Sequence, residues 1–64
     1  MKLFKIRVDL HYTDSKSFVA GYPDIYVAAE NEEQARKKAY SYKEGNNTQV
    51  DSIRFVEEIT KFIF

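Results

Sequence analysis

Cysteine is missing altogether from this 64-residue chain. No disulfide can staple it, and no thiolate can hold a metal ion. The single histidine, His11, has no second imidazole with which to build a zinc site. Glycine occurs only at Gly21 and Gly45, too far apart for a phosphate-cradling loop. Charge of one sign is lacking too, since ten basic and ten acidic residues give a formal net charge of zero. Phosphate neutralisation supplies most of a nucleic-acid binder's affinity, so such proteins are usually basic. Neutrality therefore counts against that class while leaving room for a local patch. No apolar run approaches the length of a bilayer span. The opening Met1-Lys2-Leu3-Phe4-Lys5 alternates charged and apolar residues, unlike a signal peptide. The expectation is a soluble protein, cytoplasmic in the producing or host cell, without membrane contact. Asn46-Asn47-Thr48 matches a glycosylation sequon, but without an export signal it reads as a turn.

What is present points to one α+β domain over residues 1–64. A chain this short buries only about 60% of the surface its unfolded form exposes. Without disulfide or metal, it has two sources of stability left: an aromatic core, from a chain that is 16% Phe and Tyr, and association with another chain. Residues 2–12 alternate, with Phe4, Ile6, Val8, Leu10 and Tyr12 on one face and Lys5, Arg7, Asp9 and His11 on the other. Period two over that length predicts a strand with one face buried. Thr13-Asp14-Ser15-Lys16 are turn formers, and Phe18 opens a second extended run. Gly21-Tyr22-Pro23-Asp24 interrupts it, because Pro23 has no amide to give a central ladder. Ile25-Tyr26-Val27-Ala28 resumes the strand.

Asn31 predicts a helix N-cap, with Gln34 placed to reach back to its amide in a capping box. Glu32 and Glu33 suit the first turn of a helix, and Arg36, Lys37, Lys38 and Lys43 its later turns. Ala35, Ala39 and Tyr42 form a narrow apolar stripe, and Gly45 is placed as the stop, so the predicted helix spans Glu32–Glu44. Asn46-Asn47-Thr48-Gln49 reads as a loop. Beyond Val50 the pattern fits either a strand (Ile53 and Phe55 alternating with Ser52 and Arg54) or a helical face (Phe55, Ile59, Phe62, Ile63). The β-branched and aromatic content favours a strand, bent near Glu57-Glu58. The predicted fold is β-β-α-β: a small antiparallel three-stranded sheet with one helix on one face.

Few residues invite chemistry. His11 has Asp9 on its own strand face but no nucleophile beside it, and it reads as an exposed strand histidine. The pairs Glu32-Glu33 and Glu57-Glu58 could do acid–base work only if a cleft desolvated them. The helix dipole and solubility account for them instead. Ligand pockets typically need ~300 Å³ or more and walls this chain lacks, so no enzyme, cofactor or metal is expected. The open sheet face is predicted to carry Lys5, Arg7 and His11, joined from neighbouring strands by Tyr22, Tyr26 and Arg54. A basic, aromatic sheet face can stack bases and pair phosphates. Asp9 amid the cluster and the zero net charge favour a solvated or protein-contacting face. Arg36-Lys37-Lys38 reads as a solvated helix face. Five tyrosines (Tyr12, Tyr22, Tyr26, Tyr40, Tyr42) are many for this length and suit protein contact. Ile59, Phe62, Ile63 and Phe64 exceed what one short helix can cover, which predicts a homodimer built on them.

The stretch from Ile25 to Ala39, IYVAAENEEQARKKA, resembles the strand-to-helix segment of small phage and mobile-element proteins of the DpnD/PcfM-like kind. It is more loosely similar to small anti-CRISPR proteins with a little sheet and one helix. The resemblance covers about 15 of the 64 residues and carries over no functional residue. It implies an accessory protein of a mobile element that inhibits a host defence system by occupying a partner's surface. The expectation is thus a non-enzymatic protein-binding module. The alternatives are a nucleic-acid-binding accessory protein using Lys5, Arg7 and Arg54, and a structural homodimer subunit.

Overall fold

The computed structural model describes residues 1–61, except for the side chains of Lys16 and Ser17. In chain order the elements are β1 (Lys2–Tyr12), β2 (Ser15–Gly21), β3 (Asp24–Ala29), α1 (Glu32–Ala39) and β4 (Thr48–Ile59). The α+β class and the small antiparallel sheet with one packed helix are as the residue pattern predicts. No helix among the described residues is long and apolar enough to cross a membrane.

β1 is the axis of the sheet, with β4 along one side and both β2 and β3 along the other. On that second side Lys2 faces Ala29 and Arg7 faces Asp24, and the same diagonal continues to Leu10 facing Gly21. Between them the Val8 amide donates to the Pro23 carbonyl at 3.1 Å. β2 and β3 are therefore two halves of one strand, broken where Pro23 can accept from β1 but has no amide to return. The sheet is three ribbons wide, as expected, although the break raises the count of strands to four.

The alternation of β1 places Phe4, Ile6, Val8 and Leu10 in the core, each at most 2% exposed. Ala35 and Ala39 lie flat on them, and Ala29 and Val50 close the sides. Because alanine adds almost no bulk, the helix backbone sits near the sheet and the strand side chains fill the space. Each of the large core side chains contributes roughly 1.5–3 kcal/mol by leaving water. Tyr12, the last of the alternating set, lies past the helix and is exposed.

Asn31 caps α1 by accepting from the Gln34 amide at 2.8 Å. The Gln34 side chain reaches one residue further back than a capping box does, to the Glu30 amide at 2.8 Å. The helix ends at Ala39, not at Glu44, and Gly45 is not its stop. The reason lies at the Lys38 carbonyl, which accepts from the Ser41 amide at 3.1 Å and the Ser41 hydroxyl at 2.6 Å. A further helical turn would need that carbonyl for Tyr42, whose amide turns instead to Ala39 at 3.1 Å. Tyr42 then folds against the core, with its hydroxyl donating to Glu44 at 2.9 Å. Gly45 takes a positive φ of 89° in the loop that follows. Thr48, buried, holds that loop through hydrogen bonds to the Glu44 amide and carbonyl.

Thr48 and Gln49, expected in a loop, are the first residues of β4. The C-terminal segment is a strand as expected, but without a bend at Glu57-Glu58, which face Lys5 and Phe4 in regular register. The irregularities lie earlier, as register shifts opposite Arg7/Val8 and Asp9/Leu10 that leave Arg54 and Asp51 as extra residues. Each bulge bends the strand and turns side chains. In a regular strand Ile53 and Phe55 would share a face. Here Ile53 packs on the core while Phe55 stands opposite Arg7, outside.

Candidate functional site: the open face of the sheet

The face of β1 away from the helix carries Lys5, Arg7, Asp9 and His11 in one column. β3 sets Tyr26 beside Lys5 and Asp24 beside Arg7, while β4 sets Glu57 and Phe55 on their other flank. The fold thus gathers Lys5, Arg7, His11, Tyr22, Tyr26 and Arg54 onto one surface. Residue types alone gave no sign of Asp24, Asp51 and Phe55 there. Asp24 faces outward because of its register with Arg7, and the other two because of the bulges.

The cations Lys5, Arg7 and Arg54 on this face each stand beside a carboxylate of the same molecule. The Arg7 guanidinium grips the Asp24 carboxylate like a fork, Nε to Oδ1 at 2.8 Å and Nη2 to Oδ2 at 3.1 Å. Lys5 Nζ stands 3.9 Å from the same carboxylate. The Arg7 hydrogen bonds, aided by the charges of Arg7 and Lys5, hold the Asp24 carboxyl below the usual carboxylate range against a smaller opposing effect of desolvation. The same pairing raises Arg7.

A second group centres on Asp9. Its Oδ1 lies 2.8 Å from His11 Nε2, and its Oδ2 lies 3.6 Å from Arg54 Nη1. The Asp9 and His11 side chains are only 13% and 16% exposed, so His11 is largely covered, unlike the exposed histidine expected. Arg54, carried on its bulge, crosses the central strand and lies over the Tyr22 ring, 4.9 Å from its centroid. Tyr22, Tyr26 and Phe55 surround the charged column and stay about half or more exposed.

Beyond one end of the column lies a shallow apolar depression lined by Met1, Leu3, Ala28 and Ile59. Ile59, one of the expected dimer residues, is half-buried at its edge. Phe62, Ile63 and Phe64 lie outside the described residues. Comparison with protein-family models, with curated proteins and with solved structures finds no match to this chain.

Proposed function

We propose that the chain is a non-enzymatic protein-binding module that works through the open face of its sheet. The observation that supports this is the pairing of charge there: Lys5 and Arg7 share Asp24, and Arg54 stands by Asp9. Phosphates would have to displace these carboxylates, whereas a protein surface can dock on the exposed rings of Tyr22, Tyr26 and Phe55. Aromatic rings around a polar centre whose cations are each paired with a carboxylate suit a partner that is itself polar and near neutral. Together with the resemblance of residues 25–39, this favours a cytoplasmic accessory protein of a mobile element. It would inhibit a host defence protein by covering part of its surface.

Capture from host lysate, with and without nuclease, tests the reading. A partner held by the wild type in both conditions, and lost by Tyr26→Ser with Phe55→Ser, is the expected result. Capture that disappears with nuclease would instead establish the nucleic-acid reading. The homodimer belongs to the same proposal, since among the described residues β4 pairs with β1 alone, and its other edge would accept a second copy. Sedimentation at high micromolar concentration distinguishes dimer from monomer.

A further inference from the structure

We propose that the outer edge of β3 is a docking groove for an extended peptide segment of another protein, bound by strand addition. β1 pairs with β3 in an unbroken register, from Lys2 facing Ala29 to Arg7 facing Asp24. One step further the Val8 amide donates to the Pro23 carbonyl, which marks Val8 and Pro23 as a hydrogen-bonded pair. Such pairs recur at every second position of an antiparallel ladder, so Ile25, Val27 and Ala29 turn their backbone groups toward β1. Asp24, Tyr26 and Ala28 therefore turn theirs outward, along the edge.

The helix bears out that direction, since Lys38 Nζ donates to the outward Ala28 carbonyl at 2.7 Å. Among the described residues the Tyr26 amide and carbonyl and the Ala28 amide have no partner. A shallow groove runs along this edge, walled by Lys38, Ser41 and Tyr42. The wall exists because α1 stops at Ala39, where Ser41 takes the Lys38 carbonyl. Ser41 and Tyr42 then line the groove without pairing with β3.

Two features define what fits. Outward backbone groups two residues apart on a regular edge strand match the backbone of another extended chain. Lys38 adds a preference of charge. Arg36 and Lys37 pair with Glu32 and Glu33 one turn earlier in the helix. Lys38 has Gln34 at that position, and among the described residues it pairs with no carboxylate. A peptide amide that took over the Ala28 carbonyl would release this ammonium for an acidic side chain. On the helix side, alternate residues of the peptide would meet Ile25, Val27 and Tyr42, which are only half-buried. The ligand is thus a segment of about five residues, apolar at alternate positions and acidic at the end nearest Ala28. This groove is separate from the open face, to which Tyr26 gives its ring and not its backbone.

Strand addition leaves a mark that apolar docking does not, because only every second amide of the added strand points at β3. Selection of short random peptides from a displayed library on the full chain, then calorimetry with the enriched peptide, tests the groove. Enriched sequences that alternate apolar residues and carry an acidic one, bound as a single peptide per chain, are expected. N-methylation at one alternate set of peptide amides should weaken binding at least ~10-fold, and at the intervening set by less than ~3-fold. Lys38→Glu should also weaken it at least ~10-fold, whereas Lys37→Glu, the same change outside the groove, should not. The Tyr26 and Ala28 amides should gain hydrogen-exchange protection when the peptide is added. Should Lys38→Glu fail to fold, the methylation pattern and the protected amides decide the matter. The groove is refuted if no peptide is enriched, if N-methylation acts alike at every position, or if protection appears away from Tyr26 and Ala28.

Discussion

The two faces of this sheet share one strand and obey different rules. Toward the helix, β1 presents Phe4, Ile6, Val8 and Leu10, packed on two alanines and shut off from water. Toward solvent it presents Lys5 and Arg7, paired with Asp24 of β3, and Asp9, paired with Arg54 of β4 and with its strand neighbour His11. Volume governs the first face, where a lost methyl group leaves a void. Register governs the second, because a one-residue slip would separate Arg7 from Asp24 and Asp9 from Arg54. Stability should therefore reside in one face and specificity in the other, and substitutions can separate the two.

The largest effect should come from Ala39→Asp, which buries an unpaired charge in the core and should destabilise the domain by more than about 4 kcal/mol. Lys37→Asp, on the solvent side of the same helix, should be nearly neutral. Melts in which the two variants behave alike would refute the orientation of α1. Next comes Ile6→Ala, fully buried in the wild type, which should lower stability in urea by roughly 2–5 kcal/mol. Asn31→Ala removes the cap of α1 and should cost roughly 1 kcal/mol in the same assay. On the open face, Phe55→Ser should alter stability by less than about 0.5 kcal/mol while abolishing partner capture.

The smallest effect concerns pH. The Asp24 carboxyl titrates below its unfolded value of about 3.9 because Arg7 holds the charged form. Its contribution to stability is therefore complete above that value and is lost as pH falls through the lower, folded value. Asp24→Asn should flatten this part of the acid melting curve relative to wild type. The effect will be slight because Arg7 is well exposed and solvent screens the pair.

The sequence discloses the two faces unequally. Alternation in β1, the alanine stripe and the Asn31 cap are local signals, and each predicts its element. Pro23 likewise marks the interruption within the chain that returns along β1. The end of α1 was not legible, because it depends on Ser41 taking the Lys38 carbonyl, a choice made by one hydroxyl. Nor was the outer face of β4. A bulge is a count of two residues against one on a partner strand, and nothing near Arg54 or Asp51 in the chain announces it. Lys5, Arg7, His11 and Tyr26 could be placed on the open face from alternation and pairing. Phe55 and Asp51 could not.

The central position of β1 also bears on how the chain reaches this state. Tyr12 meets Ser15 across a two-residue turn, so the ladder along β2 and β3 can zip from a nearby start. On the other side Leu3 must wait for Ile59, and Tyr12 for Thr48, after the helix and its loop have been traversed. Closing such distant pairs is slow, because chain entropy is lost before the contacts form. Arrival of β4 should therefore be the late step, with the outer flank of β1 an uncovered edge until then. The last strand to dock is also the one that carries Arg54, Phe55 and Asp51 onto the open face, so the surface that would meet a partner is assembled only as folding finishes.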